Sequence, residues 1–165
     1  MKNNISFMKQ SLRTGLSFGL TSGIITTLGL MVGLYSSTQS KIAVLGGIIT
    51  IAVADALSDA LGIHVSEESR KKTSEKQVWT ATISTFLSKF VFAISFIIPV
   101  LIFETSNAIT VSIVYGLLLL SFLSYYIAKN QKKKPWKVIG EHLIIGLLVI
   151  FLTNILGSLI GIVFQ

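Results

Sequence analysis

Five long apolar runs, separated by short polar connections, take up most of this chain of 165 residues. Each run reaches the ~20 residues that an α-helix needs to cross the hydrocarbon core of a bilayer. Hydrocarbon offers the backbone no hydrogen-bond partner, and the runs lack the alternation of apolar and polar residues that barrel strands have. The sequence therefore predicts an all-α polytopic membrane protein, a single transmembrane domain over residues 1–165, with a bundle of five transmembrane helices at about residues 12–35, 42–63, 78–103, 108–128 and 138–164.

The composition agrees with helices that face lipid. Of the residues, 52% are hydrophobic and 13% are charged, so a soluble bundle of these helices would aggregate. The chain has no cysteine, which excludes disulfides and thiolate metal sites. The segment from Ile5 to Leu12, at the start of the first run, is predicted to lie as a short amphipathic segment at the membrane surface.

The basic residues gather on one side of the predicted topology. Twelve of the fourteen lie before the first run, between the second and third runs, or between the fourth and fifth runs. By the positive-inside rule, this pattern predicts an N-terminus in the cytoplasm and a C-terminus outside, the N-in and C-out orientation. Because no basic surface interleaved with aromatic residues accompanies the clusters, we expect them to contact lipid headgroups of the bilayer, with no nucleic acid as partner. The plasma membrane of a prokaryote is the expected location.

Small residues in the first run predict close helix contacts. Gly15, Gly19 and Gly23 recur at every fourth position, and Gly29 and Gly33 continue the pattern on a slightly rotated face. Such spacing lets two helix backbones approach closely. Packing within one chain and a homodimer through the first helix explain the pattern equally well.

Two aspartates lie within the second run, one helical turn apart. The helical rise places Asp55, and Lys89 of the third run, at similar depths from the cytoplasmic side. A charge in hydrocarbon costs on the order of 3 kcal/mol, so these groups are expected to converge inside the bundle. We predict an ion pair between Asp55 and Lys89, which leaves Asp59 without a basic partner and facing the hydroxyls of Ser22 and Thr26. Such oxygen atoms suit a hard divalent cation or a proton, with Lys89 as a counter-charge.

Four side chains near the cytoplasmic ends of the runs are candidates for the place where a cation first binds: His64, Glu67, Glu68 and Glu141. The alternative for the glutamates between the second and third runs is that they are solvated charges, because exposed ion pairs contribute little. The sequence has no facing carboxylates on separate helices, no nucleophile motif and no phosphate loop, so no enzyme activity is predicted.

Two stretches of the sequence resemble a known family. Residues 19–33 (GLTSGIITTLGLMVG) and 54–66 (ADALSDALGIHVS) are similar to the first two helices of the vacuolar iron transporter family. The family also has residues like Ser88 and Pro99 in its third helix. The start of its fifth helix is similar to the set formed by Pro135, Trp136, Glu141 and Gly146.

The chain departs from that family where the family binds metal. The family's helix 1 aspartate corresponds to Ser22, its helix 2 methionine to Asp59, and its helix 2 glutamate to Ile63. Asp55 replaces a glycine, and Lys89 replaces a phenylalanine. The family's cytoplasmic metal-binding domain between the second and third helices is also missing from this chain.

The resemblance implies a homodimer of five-helix subunits that exports divalent metal cations, Fe²⁺ or Mn²⁺, from the cytoplasm in exchange for protons. No permanently bound cofactor is expected, since the metal ion would be the transported substrate. From the polar residues of the first two runs, we expect Asp59, Asp55, Ser22 and Thr26 to hold that ion. The alternative is a relative that has lost transport and acts as a membrane scaffold or accessory subunit. In that case the pair of Asp55 and Lys89 is purely structural.

Overall fold

The computed structural model describes residues 2–70 and 73–164, and side chains from residue 7 onwards. Within these residues it contains helices and no strand. In this part of the chain the structure has five segments that are long and apolar enough to cross a membrane, and one of them consists of two consecutive helices. This confirms the predicted all-α fold with five spans. The helices are α1 (Lys2–Thr38), α2 (Lys41–Glu68), α3 (Glu75–Ser95), α4 (Ile97–Ile102), α5 (Thr105–Asn130) and α6 (Pro135–Phe164).

The first two helices extend furthest beyond their predicted ends. The first begins at Lys2 and continues without a break through Ile5 to Leu12, which was expected to be a separate surface segment. The second continues past Ile63 to Glu68. Asp59 therefore lies roughly 14 Å from the end of α2, and not roughly 6 Å as an end at Ile63 predicts.

The third span is broken near its end by a proline. Pro99 has no N–H to donate to the carbonyl of Ser95, and the regular helix is interrupted at Phe96, between α3 and α4. The hydroxyl of Ser95 donates to the carbonyl of Phe92 at 2.6 Å and accepts a hydrogen bond from Tyr115 of α5 at 3.1 Å. The break is therefore held by side-chain hydrogen bonds.

The helix α1 is the centre of the bundle. It packs against α2, α3, α5 and α6, and its residues Ile24, Leu28 and Met31 form part of the buried core. By contrast α6 exposes apolar side chains along most of its length, as expected of a helix that faces lipid. We call the end of the bundle with the α2–α3 and α5–α6 connections the basic end, and the other the opposite end. At the opposite end Lys41 donates to the carbonyl of Phe103 at 3.2 Å.

The glycines of α1 are used for packing within the chain. A Cβ atom at Gly15 or Gly19 would collide with α3, and one at Gly29 would lie 2.8 Å from Val149 of α6. Gly157 of α6 lies against the backbone of Gly33 in the same way. Of the two explanations for the glycine pattern, the structure supports intramolecular packing, so this stripe is not available to a second subunit.

Candidate cation site

The candidate site is built around one buried lysine of α3. Lys89 is 1% exposed, and its backbone lies against Gly23 of α1, where a Cβ would be 3.3 Å from its Cα and 3.1 Å from its carbonyl oxygen. The absence of a side chain at Gly23 thus lets α1 and α3 approach closely at this level. Because α3 also packs against α2, the Lys89 side chain reaches the carboxylates of α2.

Both aspartates of α2 contact this lysine. Lys89 Nζ donates a hydrogen bond to Oδ2 of Asp59 at 2.5 Å. Oδ2 of Asp55 lies 2.5 Å from the same nitrogen, as an ion pair without hydrogen-bond geometry. The expected pair of Asp55 and Lys89 is therefore present, and the expectation that Asp59 has no basic partner is wrong. Residues four apart on a helix lie above one another, so a single ammonium reaches both carboxylates.

A serine of α1 completes the cluster. The hydroxyl of Ser22 donates to Oδ2 of Asp59 at 2.7 Å and accepts from Nζ of Lys89 at 3.0 Å. Three helices thus contribute one connected network, and three oxygen atoms surround the ammonium of Lys89. Such a polar network holds α1, α2 and α3 in fixed positions relative to one another.

The cluster has a net negative formal charge, and its two carboxylates are partly exposed. Two carboxylates and one ammonium carry a formal charge of −1 together. The side chains of Asp55 and Asp59 are 29% and 21% exposed, whereas Lys89 is sealed. Asp55 lines a groove of about 490 Å³ beside Leu30 and Leu34 of α1. The carboxylates are thus the more exposed part of the cluster.

A second groove of about 400 Å³ lies on the other side of the same leucines, between α1 and α6. Both grooves are lined by Leu30, Leu34 and Ile51, and we call them together the α2–α6 cleft. Thr26 lines the second groove, and its hydroxyl donates to the carbonyl of Ser22 at 2.9 Å. The structure therefore places Thr26 beside the cluster without a hydrogen bond to either aspartate.

The four residues expected near the cytoplasmic mouth are not brought together. Glu67 is 5% exposed, pairs with Arg70 at 3.0 Å and lines a cavity of about 500 Å³ at the basic end with Ser11 and Gln77. The alternative in which Glu67 is a solvated charge is therefore wrong, whereas Glu68 is exposed.

The other two candidates are His64, which contacts α3, and Glu141, which lies in the first turns of α6. The hydroxyl of Thr82 donates to the carbonyl of Val78, so His64 Nδ1 must be the donor in its 3.0 Å contact with Thr82. This bond ties α2 to α3. Glu141 is exposed and lines a separate pocket among lysines at the start of α6. Among residues 2–70 and 73–164, no group of three or more histidine, cysteine, aspartate or glutamate side chains is placed to hold a metal ion.

A comparison with protein families identifies the family of this chain. A sequence model described as the VIT family matches residues 70–158, which is more than half of the chain. The chain belongs to the VIT family. This confirms the resemblance to the vacuolar iron transporter family and indicates a membrane metal-ion transporter. A search of curated proteins found no match to the chain.

The matched region contains only part of the candidate site. Lys89 lies inside it, whereas Ser22, Asp55 and Asp59 lie outside it. Family membership therefore rests on α3 to α6, and the carboxylates belong to the part of the chain that the match does not cover.

Proposed function

We propose that this VIT family protein transports divalent cations of the Fe²⁺ or Mn²⁺ class, exporting them from the cytoplasm in exchange for protons. One observation carries the proposal: two partly exposed carboxylates of α2 share a single buried ammonium inside the bundle. Ionisable groups within membrane spans are rare and usually lie on the path of an ion or proton. The metal ligands would be Asp55 and Asp59, with Ser22 supplying a hydroxyl oxygen.

Charge balance at the cluster links cation binding to proton release. The ammonium of Lys89 already contacts the two Oδ2 atoms that a bridging cation would use. A divalent ion held by both carboxylates would therefore compete with the ammonium for these oxygen atoms. If Lys89 gives up its proton as it moves, two carboxylates and one divalent ion sum to zero, which is the state of lowest cost in hydrocarbon. Reprotonation of Lys89 from the far side would then expel the ion.

Flux through reconstituted vesicles tests this function. Wild-type protein in vesicles with a pH gradient is expected to move Mn²⁺, and Asp59→Asn should lower the initial rate at least about tenfold, since even indirect partners of a metal change affinity by that much. Glu104→Gln, an exposed glutamate outside the cluster, should leave the rate unchanged. If the wild-type protein moves no divalent ion under either polarity of the gradient, the transport proposal is wrong.

The second candidate function is a membrane scaffold or accessory subunit without transport. The observation that favours it is that the ammonium of Lys89 already has three oxygen atoms within 3.0 Å. In that case the cluster ties helices together and has no ion cycle. A folded, stable wild-type protein with no flux in the vesicle assay would favour this candidate.

We propose an orientation with the basic end in the cytoplasm, which the distribution of lysines and arginines supports. We further propose that the membrane is the plasma membrane of a prokaryote. We propose in addition a homodimer through α1. Because the glycine stripe is occupied by α3 and α6, the partner would bind the remaining face of α1, which is the α2–α6 cleft. Asp55 lines this apolar cleft, and a second copy would cover its carboxylate from lipid.

Single cysteines test the dimer, because the natural chain contains none. Leu30→Cys, at the centre of the cleft, is expected to form a disulfide-linked dimer on mild oxidation in native membranes. Ile144→Cys, on the 68% exposed outer face of α6, is the control and should stay monomeric on a denaturing gel. Equal cross-linking of the two variants would indicate random collision and contradict the dimer.

A further inference from the structure

A small pocket at the basic end gathers lysines without acidic partners. It has a volume of about 320 Å³ and is lined by Lys133, Lys134, Lys137, Val138 and Glu141. Among the described residues, none of these lysine side chains has an ion pair or hydrogen bond, and neither has Glu141. Three ammonium groups thus face one cavity with a single carboxylate.

The connection that carries these lysines has a defined conformation. Lys132 takes a left-handed backbone (φ 55°), and the N–H of Lys133 donates to the carbonyl of Ala128 at 2.9 Å, which closes the end of α5. Pro135 then begins α6. Such a closure fixes the direction in which the chain leaves the helix. The three lysines therefore converge because of the fold, and not only because they are close in sequence.

The α2–α3 connection is also rich in basic residues, but its charges are arranged differently. The orientation of the protein in the membrane therefore does not by itself require lysines without acidic partners. In residues 67–76, around the α2–α3 connection, four basic residues are accompanied by three glutamates, and Arg70 pairs with the buried Glu67. In residues 129–141, around the α5–α6 connection, five lysines are accompanied only by Glu141. Lys129 is folded back over the ring of Tyr125, 5.5 Å from its centroid, and does not line the pocket. The lysines that line the pocket thus differ from Lys129, which contacts an aromatic ring, and from Arg70, which has an acidic partner.

We propose that this pocket binds the phosphate of an anionic phospholipid. The surroundings favour a lipid over a soluble phosphate. Trp136, beside the pocket, is 83% exposed, as expected of an aromatic residue at the level of the headgroups. The outer face of α6 continues from there as exposed apolar side chains, beginning with Ile144, on which acyl chains can lie. Clusters of lysine next to the cytoplasmic end of a membrane-spanning helix attract anionic headgroups.

Lipid titration of two matched double variants tests the site. The probe is phosphatidylglycerol, added to purified protein in neutral detergent, with binding counted by native mass spectrometry. Lys134→Gln with Lys137→Gln removes two lining lysines, and affinity is expected to fall about 30-fold, since each lysine near an anionic surface contributes a factor of about five. Lys129→Gln with Lys132→Gln removes two lysines of the same connection outside the pocket, and should change affinity less than about threefold.

Further arms separate a built site from general attraction. Lys134→Arg with Lys137→Arg keeps both charges and should retain binding. Phosphatidylcholine, and inorganic phosphate at the same concentration, should bind weakly to the wild-type protein. Equal losses in the two glutamine variants would show diffuse attraction to the whole connection and overturn the proposal. Binding of inorganic phosphate as tight as that of phosphatidylglycerol would show a site for soluble anions, and would also overturn it.

Discussion

Replacing Lys89 by methionine is expected to lower the free energy of unfolding by about 3–5 kcal/mol, the usual cost of removing one partner from a buried ion pair. Methionine keeps the length of the side chain but leaves Asp55 and Asp59 without their shared ammonium. The two carboxylates are four residues apart on one helix and would then repel each other. Ser22 would also lose a donor.

Thermal unfolding of purified protein in detergent measures this effect. Lys76→Met is the matched control, because Lys76 is an exposed lysine in the first turn of the same helix and should tolerate the change. Asp55→Asn alone should rescue Lys89→Met only in part, since Asp59 also loses its partner. The triple variant with both aspartates changed to asparagine should recover most of the stability. Full rescue by Asp55→Asn alone would contradict the shared ion pair.

The part of the fold that depends on length and polarity could be predicted from the sequence. An apolar run of about 20 residues has few folds open to it other than a spanning helix, because the backbone needs its own hydrogen bonds in hydrocarbon. The same physics predicts that Asp55 and Lys89 meet, since neither charge is stable against lipid. Five spans and one ion pair follow from these two constraints.

The part that depends on helix ends and on helix neighbours could not be predicted in this way. Polar residues 64–68 mark no sharp helix end, so the sequence predicts that α2 stops at Ile63, whereas the helix continues to Glu68. Glu67 is another case, because a polar residue past the expected end of a helix is normally solvated, and its burial depends on α1 and α3.

The residues of the site come from two parts of the chain, only one of which lies in the region that matches the VIT family. The region that matches the VIT family supplies the ammonium, and the region outside the match supplies both carboxylates and the serine. A lysine buried in a membrane requires acidic partners, and here they lie on the neighbouring helix. Lys89 and the two aspartates therefore form one unit, and a change in one of them alters what the others can do.

The glycines of α1 give the second large effect. Gly19→Ala is expected to destabilise the protein by about 1–3 kcal/mol, as overpacking of a tight interface does. The new Cβ would lie 2.5 Å from the carbonyl oxygen of Thr85 in α3 and would overlap the hydroxyl of Ser88, which is itself bonded to its own helix. Since a backbone atom is involved, α1 and α3 would have to move apart.

The neighbouring glycines give a graded series in the same thermal unfolding assay. Gly23→Ala should cost less than Gly19→Ala, because its Cβ would meet Lys89 at 3.1 Å or more and a small shift relieves the contact. Gly46→Ala is the control, since nothing lies within 4 Å of its Cβ, and stability should stay unchanged or rise by up to about 1 kcal/mol. Separation of α1 from α3 would also pull Lys89 from Ser22, so Gly19→Ala should weaken cation flux as well. If Gly19→Ala and Gly46→Ala unfold at the same temperature, the close contact between α1 and α3 is wrong.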